Sequence, residues 1–354
     1  MTLPELNSYA GKRILVTGHT GFKGSWLIRT LKALDAEVFG LALEPEANSL
    51  YPNLGTPEIF GEALIDIRNR PEILNYFSKM RFDGIFHLAA QSLVRKSYVE
   101  TVETFETNVM GTLNILDAVF TSASAKWVVV VTTDKVYKNI ESLEGYKEDA
   151  PLGGTDPYSA SKAACEMVVS AYQNLAKLDG NNLQIVSVRS GNVIGGGDTA
   201  KDRLLPDIIR SFQTSEQIVI RSPSAIRPWQ HVLDPLTGYL LVGQKLLTGH
   251  GVSSALNFGP DLRSRLTVEE MVRIACSSWP FSAGYKVEEN LTKYPETGVL
   301  WLDSSKARNE LGWTNKLDAV ESINWTLDWE RSLATISAKE AIDRQIQKYF
   351  AISK

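Results

Sequence analysis

RILVTGHTGFKG, Arg13–Gly24, decides the fold. Arg13–Thr17 is a short apolar run of the kind that makes a buried parallel strand. It runs directly into glycines at 18, 21 and 24, and apolar residues then recur at helical spacing over Phe22–Leu34. A strand, a glycine turn and a helix in this order open a βαβ unit. Gly18 permits the tight turn, Gly21 lets backbone approach a pyrophosphate, and Gly24 lets helix and strand pack closely. The helix N-terminus adds unpaired N–H donors and partial positive charge. The bland alternative is an ordinary glycine-rich turn. Its place after a strand and at a helix start favours a dinucleotide site over Gly18, Thr20, Gly21, Phe22, Lys23 and Gly24.

Outward from this loop the alternation continues. Strands are expected at Glu37–Leu43, Gly84–Ala89, Trp127–Thr132 and Leu183–Arg189, and helices at Asn69–Met80, Val102–Phe120 and Asp156–Leu178. Asp156 is the expected N-cap of the last helix, with Pro157 at its first position. This pattern predicts an α/β fold, a doubly wound parallel (Rossmann-like) sheet with a ligand crevice at the carboxyl ends of its strands. From about residue 191 the alternation breaks. The expected division is a dinucleotide-binding domain over 1–190, with 230–258 returning to it, and a smaller, mostly helical substrate domain over most of 191–354.

Composition narrows the class. The 354 residues are 44% hydrophobic and 22% charged, as in a globular enzyme. Lys and Arg number 37 against 41 Asp and Glu, so a net charge of −4 offers no field for nucleic acid. Cys165 and Cys276 make no disulfide framework, the four histidines are scattered, and no metal site is expected. No apolar run approaches the roughly 18 residues of a membrane span, and the start has no signal-peptide core. A cytoplasmic chain without membrane attachment is the expectation.

Candidate chemistry lies at two places. Tyr158 and Lys162 stand at i and i+4 on one helix face. A phenol titrates near ~10, and a nearby ammonium together with an oxidised nicotinamide would make it a base for an alcohol. Taken alone, such a pair is mostly two amphipathic side chains on a surface. Thr133, Asp134 and Lys135 follow the strongest strand at its carboxyl end: a hydrogen-bond donor for an oxygen becoming a carbonyl, a candidate acid and a candidate base. Elsewhere this would read as a polar turn. Asp66 and Ile67 fit an adenine-facing turn, and Asp66 fits an exposed loop acid about as well. The acid usually found at the end of the second strand is absent from Leu41-Ala42-Leu43, and Lys23 could favour an added phosphate, so NADP stays open beside NAD.

G-x-x-G-x-x-G, His87-Leu88-Ala89-Ala90-Gln91, Thr133 and Y-x-x-x-K, in that order, resemble the extended short-chain dehydrogenase/reductase family over nearly the whole chain. Gly18–Leu27, Thr133–Tyr137, Pro151–Lys162, Gly191–Asp198, Asp202–Asp207 and Arg227–Pro235 are similar to one branch, the CDP-glucose 4,6-dehydratases; Val136 stands where that branch carries a cysteine. The resemblance implies oxidation of a nucleotide sugar at C4 by bound NAD, loss of water across C5–C6, and return of the hydride to C6. It assigns Tyr158 as base, Lys162 as its support and ribose ligand, Thr133 as donor to the C4 oxygen, and the Asp134–Lys135 pair to the elimination. Lys135 would be either the C5 base or an ammonium that stabilises the enolate.

Ala89, Ala90 and Gln91 would line the cofactor. Gln91, Asn192, Arg203, Arg221, Arg227 and His231 would hold the nucleotide sugar, the arginines because guanidinium forks match diphosphate. The resemblance also implies deoxysugar synthesis of the kind that feeds a lipopolysaccharide O-antigen, and a homodimer through Val102–Phe120 and Asp156–Leu178. An epimerase or reductase of the same family, and a non-catalytic dinucleotide-binding protein, are the competing expectations. The intact Tyr158–Lys162 pair argues against the last.

Overall fold

The computed structural model describes residues 3–55, 59–142, 144–261, 264–288 and 298–352. Seven parallel strands form the central sheet: β1 (Arg13–Thr17), β2 (Glu37–Ala42), β3 (Gly61–Leu64), β4 (Gly84–His87), β5 (Trp127–Val131), β6 (Gln184–Ser190) and β7 (Ala255–Phe258). Their order is β7-β6-β5-β4-β1-β2-β3. Chain direction across the sheet reverses between β1 and β4, and a doubly wound sheet holds ligands at that switch.

Alternation along each strand divides its side chains between two cores. Ile14 and Val16 of β1, and Trp127, Val129 and Val131 of β5, enter one core with Trp26 and Leu27 of helix α1 (Phe22–Ala33). Leu15, Val128 and Val130 enter the other. That second core is closed by α2 (Arg70–Lys79), α3 (Thr112–Ser122) and α4 (Pro157–Leu178). A third core joins α5 (Leu204–Thr214) to the later helices through Ile208, Phe212, Ile220, Trp229 and Met271.

Helix α6 (Leu233–Leu247) packs on the first face of the sheet, and β7 pairs with β6. Helix α7 (Val268–Ser278) belongs to the third core, and α8 (Ala319–Ser332) contributes to both it and the first. Helix α9 (Ala338–Ala351) closes the first core against α1, with Ile342, Ile346 and Tyr349 fully buried there.

Most expected elements stand within two residues of their predicted ends, and Asp156 caps α4 as expected. Two differ. Strand β3 has no sequence signal, because Gly-Glu-Ala-Leu at the sheet edge alternates between half-buried and exposed. The helix expected over Val102–Phe120 is broken into a short helix at Thr101–Phe105, a π-turn at Glu106–Gly111 and α3. Two contacts fix the break. Asn108 spends its amide on the backbone of Gln91, and Gly111 lies so close to Ile67 that a Cβ there would come within 2.5 Å of the isoleucine side chain.

Candidate active site

The glycine loop joins β1 to α1. Gly18 has φ +72°, and a Cβ on it would meet the backbone N of Ala89 at 2.7 Å. A Cβ on Gly24 would stand 2.1 Å from the carbonyl oxygen of Gly18, so helix and turn touch there. Gly21 is the N-cap of α1, and no side chain caps that helix. Open backbone N–H groups at an N-terminus beside a side-chain-free cradle fit the pyrophosphate of a dinucleotide.

Around the loop, Thr20 donates to the carbonyl of Leu43 at 3.2 Å, Phe22 is half-buried, and Ala89 N–H donates to Thr17 Oγ1 at 3.2 Å, with Ala90 next along that strand end. The Asp66 carboxylate is held at 2.6 Å by Arg68, and this bond keeps it below its ordinary range. Ile67 is buried at 4% exposure, so only its backbone can face a ligand. His87 is structural. Its ring bridges Thr17 at 2.7 Å and Thr112 at 3.1 Å, and burial pushes it down to about 3.

Lys23 departs from expectation. Its ammonium donates to Ser190 Oγ at 2.9 Å, at the end of β6, and Ser190 pairs with Tyr239 at 2.7 Å. Burial, Arg203 and Lys162 pull Lys23 down to about 7. It points toward the crevice interior rather than the β2 end near Leu43, where a 2′-phosphate would lie. The reading of Lys23 as a feature favouring NADP is corrected accordingly.

Thr133, Asp134, Tyr158 and Lys162 are all buried and converge. The loop after β5 turns Thr133 and Asp134 inward, while the first two turns of α4 carry Tyr158 and Lys162. Burial pushes Tyr158 up to about 12; its interaction with Thr133 opposes this, Asp134 adds to it, and Arg203 opposes it. The Lys162 ammonium donates to the carbonyl of Val131 at 3.2 Å, and burial lowers its pKa.

Asp134 Oδ1 accepts from Thr133 Oγ1 at 3.0 Å and from Lys135 Nζ at 3.4 Å. Its Oδ2 is buried without a hydrogen-bond partner, and a Cβ on Gly191 would stand 2.8 Å from it. Lys135 is about one-third exposed, so the pair spans from the interior to the crevice.

The expected sugar-nucleotide ligands divide. Arg203 bridges the crevice mouth, donating to Asp198 at 2.8 Å and to Ser92 at 3.2 Å. Asn192 is half-buried beside Gly191, its carbonyl accepting from Gln230. Arg227 is half-buried and donates to the carbonyls of Ile226 and Gly298. Arg221 is exposed after the strand Ile218–Ile220, with its charge acting on Asp207, and it is not brought to the Tyr158 cluster.

Two ligand expectations are corrected. His231 is wholly enclosed, edge-on to Trp26 and Trp325, and cannot touch a substrate. The Gln91 side chain is spent on Leu93 of its own loop and on Thr104 of the Thr101–Phe105 helix, so it shapes the loop instead of reaching for a sugar.

Sequence reading missed Glu166 and Arg189. Glu166 continues the Tyr158–Lys162 stripe by one more turn, which was the available signal. It accepts from Arg189 at 2.8 and 2.9 Å, from Thr132 at 2.5 Å and from Ser187 at 2.8 Å. Asn108, which ties Gln91 to Ser161 of α4, was also missed, because nothing in its flanking residues marks the π-turn.

Among the described residues no helix is long and apolar enough to cross a membrane. Residues 15–326 match the family model described as GDP-mannose 4,6 dehydratase. The chain is 43% identical over 332 residues to the CDP-glucose 4,6-dehydratase of Salmonella typhimurium, covering 92% of each chain. It is 28% identical to the dTDP-glucose 4,6-dehydratase of Neisseria gonorrhoeae, covering 90% of this chain and 96% of that one. Its fold superposes with a TM-score of 0.78 on DesIV, a dTDP-glucose 4,6-dehydratase from Streptomyces venezuelae crystallised with NAD; identity is 26%, and 90% of this chain and 97% of that one are covered.

Proposed function

The chain belongs to the GDP-mannose 4,6 dehydratase family, and we propose that it converts CDP-glucose to CDP-4-keto-6-deoxyglucose with NAD as resident cofactor. The observation that carries this is the convergence of Thr133, Asp134 and Tyr158 in one buried cluster, beside Lys162 and below the glycine cradle. The 43% relationship to a CDP-glucose enzyme supports the choice of nucleotide.

Bound NAD would supply the acceptor for the C4 hydride and its donor to C6. Gly18, Gly21 and Gly24 and the start of α1 would hold its pyrophosphate, and Lys162 its nicotinamide ribose. Tyr158 removes the proton of the 4-hydroxyl. Thr133, whose hydroxyl now donates to Asp134, would turn it to the oxygen as that becomes a ketone.

The ketone acidifies C5. Asp134 and Lys135 stand 3.4 Å apart, close enough for a proton to pass between them. With that proton on Asp134, the Lys135 amine takes the C5 proton while the Asp134 carboxyl gives its own to the departing 6-hydroxyl. Water leaves and the pair ends as carboxylate and ammonium, so the step balances. A 4-epimerase needs neither group, which favours dehydration over that alternative.

Arg203, Arg227 and Asn192 are the proposed contacts for the nucleotide diphosphate. A homodimer through Val102–Phe120 and Asp156–Leu178 is supported by Val102, Met110 and Met167, which are 71%, 48% and 56% exposed. Light scattering at the mass of one chain would refute it. Residence in the cytoplasm and supply of a deoxysugar for an O-antigen complete the reading.

The deciding experiment compares CDP-, dTDP- and UDP-glucose and GDP-mannose side by side. The expected outcome is a product from CDP-glucose that absorbs in alkali, as a 4-keto-6-deoxy sugar does. An epimer, or no product, overturns the reading.

A further inference from the structure

A buried polar network lies behind the reacting groups. Glu166 and Arg189 are each 4% exposed. Every oxygen of Glu166 is saturated: Oε1 by Thr132 and Arg189 Nε, Oε2 by Ser187 and Arg189 Nη2. The remaining guanidinium nitrogen, Nη1, donates to Tyr137 Oη at 2.7 Å and to the carbonyl of Glu148 at 3.1 Å. Tyr137 in turn donates to Asn257 at 2.7 Å, on β7. A buried ion pair of this kind is weak evidence for stability, since its desolvation cancels much of the attraction. Its geometry suggests a different use.

Thr132 and Tyr137 are the two ends of the turn that carries Thr133, Asp134 and Lys135. One end is bonded to Glu166, the other to Arg189. Glu166 lies one turn beyond Lys162 on α4 and raises the pKa of that ammonium against burial. A single ion pair therefore ties both ends of the turn to the helix bearing Tyr158.

We propose that Glu166 and Arg189 are positioning residues, a buried clamp that holds the Thr133–Asp134–Lys135 turn in register with Tyr158 and Lys162. The kinetic part of this rests on the dehydratase reading above. The clamp acts on geometry: a displacement of about 1 Å at reacting groups can cost about a hundredfold in rate.

The test uses Thr132→Val and Tyr137→Phe, which remove one hydroxyl each and leave the ion pair and its other bonds in place, with Thr132→Ser as the conservative rescue. Three readouts are taken on the full chain: amide hydrogen exchange, kcat against KM for CDP-glucose, and absorbance of reduced nicotinamide during turnover. The expected result is faster exchange confined to 132–137, kcat lower by about ten- to a hundredfold, and KM within about twofold of the parent. Reduced nicotinamide should build up, because elimination lags behind oxidation, and Thr132→Ser should restore the parent values.

Parent-like exchange across 132–137 overturns the proposal. So does loosening of the turn with unchanged kcat, or a loss that lies wholly in KM. If the parent itself does not turn over CDP-glucose, the dehydratase reading fails, while the exchange data still decide whether the clamp exists.

Discussion

At the residue scale, each reacting group is set by its immediate neighbours. Tyr158 sits in a pocket dry enough to raise it to about 12, and Thr133 and Arg203 are what oppose that rise. A phenylalanine at 158 keeps the ring and loses the base. Tyr158→Phe should lower the rate of C4 oxidation by about 100- to 10,000-fold, seen as loss of reduced nicotinamide in single-turnover absorbance, with unchanged melting. Lys135→Ala removes a partly exposed group that contributes little to packing. It should spare oxidation and stall elimination, so reduced nicotinamide appears in a burst and persists. Product formation at the parent rate would remove Lys135 from the mechanism.

At the element scale, α4 is the part that aligns the chemistry, because Tyr158 lies in its first turn. Asp156 accepts from Ser159 N–H at 3.0 Å while the Ser159 hydroxyl returns a bond to Asp156, and Ser97 receives the N–H of Tyr158 at 3.1 Å. Removing the cap frees that turn. Asp156→Ala should cost about 1 kcal/mol in urea unfolding, and kcat should fall more than stability alone accounts for. The glycine loop is the other strict element. A methyl at position 24 has no room beside the Gly18 carbonyl, so Gly24→Ala should separate α1 from the turn and weaken NAD binding, as measured by calorimetry.

At the scale of the whole molecule, two histidines link stability to pH. Burial pushes both His87 and His231 down to about 3, so each is neutral when folded. In the unfolded chain each takes up a proton below about 6.5. The unfolded state then binds more protons, so this stability is complete above about 6.5 and is lost as pH falls from there toward about 3. Each histidine contributes a slope of up to about 1.4 kcal/mol per pH unit in that window. His231→Phe, enclosed between Trp26 and Trp325, should flatten the acid limb of the stability curve by that amount, as read from urea unfolding between neutral pH and about 5.

Periodicity and turn residues determined five of the seven sheet strands, the glycine cradle and the capped helix bearing Tyr158 and Lys162, because these follow from burial of alternate faces and from backbone geometry within a few residues. Tertiary packing decided where polar side chains point. His231 and Gln91 have types suited to a ligand, but one is walled in by tryptophans and the other is spent on Leu93 and Thr104. Lys23 turns to Ser190 instead of the β2 end. The pairing of Glu166 with Arg189 joins residues 23 positions apart on different elements, and such a partnership exists only once the helix is laid on the sheet. Local sequence encodes conformation and burial, whereas hydrogen-bond partners are set by which surfaces meet, and that is a property of the folded chain.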